Sequence, residues 1–378
     1  MIKCNMDIKT FQLLFILFIS TTSLFSQVKM NHFEHQKPTE EYIFEPIDTH
    51  DLLDANYVNL EDHLPKGFVT DASVDYTPII QRLLDQYRNV VFPGFPLLIN
   101  ENGLTISNNS NIYFLENSKL ILKPNDKEHY EVLRIHNSSD IKIMNPVIIG
   151  DKDIHLDSKG EWGMGISIRG SAKNIEIYNA NISSPWGDGI YLGHLRKIAP
   201  ENIKIINATI DNAYRNGISI TTGRNVEIKN TLISNSNYNG LKIEPSNSEA
   251  VFENILLKNI NTFNNYGGGI SVGGYSKLLE NPNARLELEI INPRDCKSQD
   301  GMFFGMVSVK KKSKHPVKGY IRITNPEWLG NSNSVFTKRK FYKNIPEIQF
   351  FDLKDEYKKD IIFRHKKDRI FTSSLIKE

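Results

Sequence analysis

Gly165-Ile-Ser-Ile168, Gly189-Ile-Tyr-Leu192, Gly217-Ile-Ser-Ile220 and Gly240-Leu-Lys-Ile243 open four short apolar alternations between Glu161 and Pro245. Between them lie Asn174-Ile-Glu-Ile177, Asn202-Ile-Lys-Ile205 and Asn225-Val-Glu-Ile228, each followed closely by a further asparagine: Asn179, Asn207 and Asn230. Alternation with period two marks β-strands with one buried face. The glycines return at 165, 189, 217 and 240, intervals of 23 to 28 residues, which is the length of a stacked structural repeat. Short strands joined by tight turns within each repeat describe the coils of a single-stranded parallel β-helix, an all-β solenoid.

The pattern extends in both directions. Gly103-Leu-Thr-Ile106 and Val132-Leu-Arg-Ile135 precede the four copies, and Gly269-Ile-Ser-Val272 and Gly301-Met-Phe-Phe304 follow them. The post-strand asparagines extend to Asn145, Asn259, Asn292 and Asn325. Residues at one repeat position stack at about the strand spacing, ~4.8 Å, so these seven asparagines are expected to form one inward column, bonded side chain to side chain. The solenoid is expected over 71–330, with a C-terminal cap over 331–378 and strands at Glu347–Phe351 and Asp360–Phe363. Before it, Pro78 suits the first position of a helix and Thr77 its N-cap. Ile79, Ile80, Leu83 and Leu84 form an apolar stripe that would close the open end of the solenoid.

With 39% hydrophobic and 24% charged residues, 378 residues can build one long solenoid. A net charge of +2 argues against a nucleic-acid partner. Lys3 and Lys9 flank the apolar run Phe11–Ile19, and small polar residues follow to Ser26. This reads as a signal peptide over 1–26, too short to span a membrane, followed by a leader over 27–70 packed along the outside. The expected product is a secreted monomer that leaves the membrane once cleaved.

The helix and the Val90-Val-Phe-Pro-Gly94 segment resemble the start of proteins of the pectate lyase superfamily. The coils resemble that group's right-handed β-helices, which include pectin-active lyases and polygalacturonase-type glycoside hydrolases. The resemblance covers most of residues 70–330 and implies a right-handed helix acting on polysaccharide. Polygalacturonase-type enzymes carry Gly-Asp-Asp-x-Ile, Gly-His-Gly-Ile-Ser-Ile and Arg-x-Lys motifs. Here Gly187-Asp188-Gly189-Ile190, Asn216-Gly-Ile-Ser-Ile220 and Leu241-Lys242-Ile243 stand in their places. Asp188 and Lys242 carry over, a glycine replaces the second aspartate, and Asn216 replaces the histidine.

In each Gly-Ile-x-Ile unit the x residue faces outward. That column reads Arg134, Ser167, Tyr191, Ser219, Lys242, Ser271 and Phe303. The residues before the glycines, Met164, Asp188, Asn216, Asn239 and Gly268, form a second column. Trp162, Trp186, Tyr214, Tyr238 and Tyr266 lie on the loops entering these strands, and Arg169 lies just beyond one of them. Flat aromatics stack on sugar rings, while acids and amides bond hydroxyls. The insertion Gly150–Gly163 adds Asp151, Asp153, His155 and Glu161, where a solvated loop is favoured over a metal site.

Hydrolysis of a glycosidic bond needs two carboxyls. Asp188 with Glu161 is the first candidate pair, beside Arg215. Elimination or epimerisation of a uronate is the alternative, with Lys242 as base and Arg215 as neutralising cation, or calcium in that role. A sugar-binding protein without chemistry is the third reading. Arg134, Arg169, Arg215 and Lys242 favour an acidic polysaccharide. Hydrolysis itself is expected to need no cofactor or metal. The chain has two cysteines, Cys4 within the signal segment and Cys296. Reductant is therefore expected to leave the melting temperature of the mature protein unchanged; a clear drop would refute this cysteine assignment.

Overall fold

The computed structural model describes residues 34–50, 56–157, 159–275, 277–305, 315–338, 346 and 348–365. The signal segment, Cys4 and the Lys310–Lys314 run lie outside them. The chain divides into Met1–Lys37 and Pro38–Glu378. Residues 34–37 of the first unit carry no regular structure.

The second unit is a solenoid of parallel strands. Among the described residues these form an eighteen-strand sheet and a nine-strand sheet. The larger sheet holds two strips. Ser139–Met144, Lys173–Tyr178 and Glu201–Ile206 belong to one; Val147–Ile149, Asn181–Ser183 and Thr209–Asp211 belong to the other. Gly223–Ser234 and Phe252–Phe263 run through both strips. The smaller sheet stacks, among others, His129–His136, Trp162–Arg169, Ile190–Gly193, Ile218–Ile220 and Leu241–Ile243.

The register follows the repeat. Leu133, Ile166, Ile190, Ile218, Leu241, Ile270, Met302 and Val335 stack in one column, and all are buried. Each buried aliphatic side chain contributes about 1.5–3 kcal/mol. The outward column is likewise the one expected: Arg134, Ser167, Tyr191, Ser219, Lys242, Ser271 and Phe303 pair in succession. Its three serines are nevertheless buried beneath larger neighbours. The glycine of each unit is a close approach between sheets. A Cβ on Gly189 would lie 2.5 Å from Ile210 and 2.7 Å from the Gly217 carbonyl oxygen.

The corners are left-handed residues. Asn145, Asn179, Asn207, Asn230, Asn259, Asn292 and Asn325 all have φ between 50° and 61°. Their amides bond along the column: Asn179 Nδ2 donates to Asn145 Oδ1 and Asn207 Nδ2 to Asn179 Oδ1, each at 2.8 Å. Asn259, Asn292 and Asn325 continue it. The column is not inward as the sequence suggested. Most members are partly exposed, and Asn292 and Asn325 are exposed, because the side chain of a corner residue projects along the outside of the bend.

Within the second unit, Tyr42, Ile47 and Thr49 of the expected leader bond to the solenoid near this column. Ile47 N–H donates to Asn179 Oδ1 at 3.0 Å and its carbonyl accepts from Asn179 Nδ2 at 2.8 Å. Thr49 meets Asn145, and the Tyr42 carbonyl accepts from Asn261. The N-terminal helix spans Thr77–Gln86 and buries Ile80, Leu83 and Leu84. It lies against Leu104–Thr105, the first strand of the smaller sheet. It starts one residue earlier than expected. Tyr76 occupies the N-cap position rather than Thr77, whose N–H and hydroxyl both donate to Asp75.

Beyond residue 330 the strands Asn333–Lys338 and Ile348–Phe351 pair in register with the coils before them. The expected strand at Asp360–Phe363 is instead part of a helix, Asp355–His365. Asp355 and Glu356 lie in its first turn, where acidic side chains favour a helix.

Asp295 is one of several buried carboxyls. Asp295 is 2% exposed and accepts from Thr262 Oγ1 at 2.5 Å, Ser298 Oγ at 2.7 Å and Asn331 Nδ2. Burial outweighs these hydrogen bonds and pushes its pKa up to about 7. The folded state therefore holds a proton that the unfolded chain releases near pH 4. The stability this supplies is full below about pH 4 and is lost as pH rises through about 7. The stability difference between wild type and Asp295→Asn should fall across that window in denaturant titrations; a flat difference would contradict the assignment. Ile190 is fully buried, whereas Tyr191 is partly exposed. Ile190→Asp should unfold the protein at a cost of several kcal/mol, while Tyr191→Ala should stay folded by circular dichroism. The reverse pattern would invert the strand facing.

Candidate functional site

The outer face of the smaller sheet carries a groove of about 580 Å³, bordered by Tyr130, Glu131, Arg169, Tyr191, Arg215 and Glu244 among others. Its residues come from successive coils, so a rigid ladder of strands fixes their spacing.

Glu131 is the anchor at one end. Its Oε2 accepts from Arg134 Nε at 2.8 Å and its Oε1 from Ser167 Oγ at 2.9 Å. His136 and Arg169 lie within 3.3 and 3.2 Å of Oε1. Burial alone would raise its pKa, but the bonds from His136 and Arg134 and the Arg169 charge outweigh it and bring it down to about 2. Glu131 pairs in register with Met164. It therefore extends by one coil the column of Met164, Asp188, Asn216 and Asn239, and that extension is the signal by which the sequence could have revealed it.

Arg134 donates to Glu131, the Thr105 hydroxyl and the Asn102 carbonyl. Expected to bind substrate, it borders the groove, and these bonds brace the groove wall. Arg169 lies 4.5 Å over the Tyr191 ring and donates through Nε to Ser167. The Tyr191 hydroxyl meets Thr221 Oγ1 at 3.2 Å.

Asp188, Glu161 and Arg215 do come together. Arg215 Nε lies 3.6 Å from Asp188 Oδ1 and Nη1 lies 3.6 Å from Glu161 Oε1. Both separations exceed a hydrogen bond. The guanidinium, 19% exposed, borders the groove 6.0 Å from the Trp162 ring. Asp188, however, is fully buried. Its Oδ1 accepts from the N–H and the Nδ2 of Asn216, at 3.0 and 3.2 Å. Burial raises its pKa, with Arg215 and the Asn216 bonds pulling the other way. Asn216 Oδ1 in turn accepts from the N–H and Nδ2 of Asn239, and Asn239 Oδ1 from Gly268 N–H. Asn216 and Asn239, expected to bond sugar hydroxyls, thus form a second side-chain ladder with Asp188 as its acceptor end.

Lys242 donates to Ser271 Oγ at 3.1 Å, and burial pushes its pKa down. Of the aromatics, Trp162 is 38% exposed and stacks on His129 at 4.6 Å, and Tyr238 is 49% exposed. Trp186 is not available to a sugar. It is 5% exposed, sandwiched between His155 and Tyr214 at 4.2 Å on each side. His155 is no ligand contact either. Its side chain is 1% exposed and its Nδ1 lies 2.7 Å from the buried Asp151, which also accepts from Tyr130 and Asn125. The Gly150–Gly163 insertion is therefore pinned into the fold by these two side chains instead of being fully solvated; Asp153 on it remains exposed.

No family model and no curated protein matches the sequence. Solved structures do. The A-module of the mannuronan C-5 epimerase AlgE6 from Azotobacter vinelandii superposes with a TM-score of 0.58 at 16% identity, over 78% of this chain and 80% of that one. Polygalacturonase from Erwinia carotovora gives 0.54 at 12%, over 75% and 91%. A hyperthermoactive exopolygalacturonase from Thermotoga maritima gives 0.51 at 14%, over 82% and 88%. This chain shares the right-handed parallel β-helix fold of these structures. At these identities the likeness concerns the fold, and the β-helix's chemistry has to be argued from its own groove.

Proposed function

We propose that the protein is an exported enzyme that binds a uronate-containing polysaccharide in the groove and removes the proton next to the uronate carboxylate, giving elimination or epimerisation. The observation that carries this reading is Arg215. Its two nearest anions stay at 3.6 Å, so its donors remain available to a carboxylate from the groove. Pairing there withdraws charge from the uronate and makes the adjacent C–H more acidic. Lys242 stands on the neighbouring coil, its position paired with Ser219. Its ammonium is disfavoured by burial, which suits an amine that must accept a proton. In elimination the C5 proton passes to the Lys242 amine, the electron pair forms the C4–C5 double bond, and the glycosidic oxygen leaves with a proton from solvent. In epimerisation a proton returns to the other face of C5.

Hydrolysis is the second reading, supported by the raised pKa of Asp188, which suits a proton donor, and by Glu161 across the same guanidinium. The sequence ranks it first. Burial of Asp188 lowers its rank, because a general acid must reach the glycosidic oxygen.

Polygalacturonate, alginate and neutral glycans should be incubated with the protein while unsaturated uronate absorbance, reducing ends and solvent deuterium at C5 are followed. Unsaturated product, or deuterium without cleavage, is expected from a uronate polymer. Arg215→Ala should lower kcat/KM about 100-fold or more, and Asp188→Asn less than about tenfold. Reducing ends without unsaturation, together with a fall of about 1000-fold in Asp188→Asn, would replace this reading with hydrolysis.

A further inference from the structure

A second concavity, about 670 Å³, lies on the outer face of the larger sheet. Nothing in the groove chemistry uses it. Its spine is Asp140, Asn174, Asn202, Asn225 and Asn254, all left-handed with φ between 51° and 58°. Each asparagine Nδ2 donates to the oxygen of the residue one coil before, at 2.8, 2.9, 2.9 and 3.0 Å in turn. An amide has two N–H donors and two acceptor lone pairs. The ladder takes one donor and one lone pair from each inner member. One of each is left over, repeated every ~4.8 Å along the solenoid axis. Asp140, Asn174, Asn225 and Asn254 are exposed.

Beside this spine the outward rungs alternate in sign: Lys142, Glu176, Lys204 and Glu227 pair in succession. Glu176 accepts from Lys204 at 3.1 Å and lies 3.8 Å from Lys142, and Glu227 meets Lys229 at 2.7 Å. The charges balance within the face. A charged polymer gains no net attraction there and would have to break these pairs. Aromatic anchors of the kind that carry protein–protein contacts are also missing from the residues bordering the concavity.

We propose that this face is a second glycan-binding surface, taking a neutral, hydroxyl-rich polysaccharide chain that lies along the solenoid axis. Each coil would offer one amide donor and one acceptor to the hydroxyls of the chain. Its ligand differs from that of the basic groove, so the two surfaces can be tested separately. The protein would hold a neutral matrix polysaccharide on one face while working on an anionic chain on the other.

The test is co-sedimentation with insoluble cellulose, xylan and agarose at ~0.5 M salt, where surface charge attraction is screened, alongside binding of soluble polygalacturonate at low salt. Wild type should sediment with at least one neutral glycan. The triple variant Asn174→Gly/Asn202→Gly/Asn225→Gly keeps backbones that tolerate positive φ and removes three amides. It should lose neutral-glycan binding by about tenfold or more with polygalacturonate binding unchanged. Should the triple variant fail to fold, Asn202→Asp, which keeps the shape and replaces donors with charge, decides by the same readout. Wild type binding no neutral glycan, variants binding like wild type, or a wild-type dimer that the variants dissolve would each overturn the proposal.

Discussion

A solenoid coil has to change direction between strands within a residue or so, and here it does so by putting that residue in the left-handed region. For most side chains this costs about 1–2 kcal/mol. The chain meets the demand at 174, 179 and 184, again at 202, 207 and 212, at 225, 230 and 235, and at 254, 259 and 264. The interval is five residues throughout, and eleven of these twelve positions are asparagine. Asparagine lowers the local cost, since its short side chain bonds nearby groups. Stacking then gives each amide a partner one coil away. The corner and the ladder are thus one device: the conformation selects the residue, and the residue bonds the coils together along the axis.

That device reaches into the groove. The column before the repeat glycines contains Glu131, Met164, Asp188, Asn216 and Asn239, and its amides point their donors back toward Asp188. The carboxylate at the head of this ladder is bonded as a corner asparagine is, and unlike most of those it is fully buried. This is why the residue that most resembled a catalytic acid in sequence is sealed. The groove surface belongs instead to cations held at its rim. Glu131 orders Arg134 and Arg169 by direct contact, whereas Arg215 spans two carboxylates without bonding tightly to either.

Much of this was legible in the sequence, for a definite reason. Period-two alternation fixes which residue faces the core, and the repeat length fixes which residues stack, so the Ile190 column, the Tyr191 column and the asparagine column all follow from residue numbers. Cover is a different quantity. Whether an outward residue meets solvent depends on the loops laid over it, and those have no period. Trp186 faces the loop side as expected but is closed in by His155 from the Gly150–Gly163 insertion. Ser167 and Ser271 face outward and are covered by longer side chains. Asp360–Phe363 misled for another reason: a short apolar run looks alike in a strand and a helix, and the acidic residues five places earlier decide between them.

The arrangement around Arg215 also links binding to charge. Asp188 Oδ1 is bonded to Asn216, while its buried Oδ2 has no hydrogen-bond partner among the described residues. A buried carboxyl in that state is either neutral or dependent on a nearby cation, and Arg215 at 3.6 Å is that cation. An anion that draws the guanidinium outward into the groove removes the countercharge from Asp188 and favours its protonated form. The same movement separates Arg215 from Glu161. One side chain thus divides its charge among a buried acid, a surface acid and whatever occupies the groove. Under the proposed function, a neutral sugar would leave that division undisturbed, whereas a uronate would compete in it directly and be distinguished by charge.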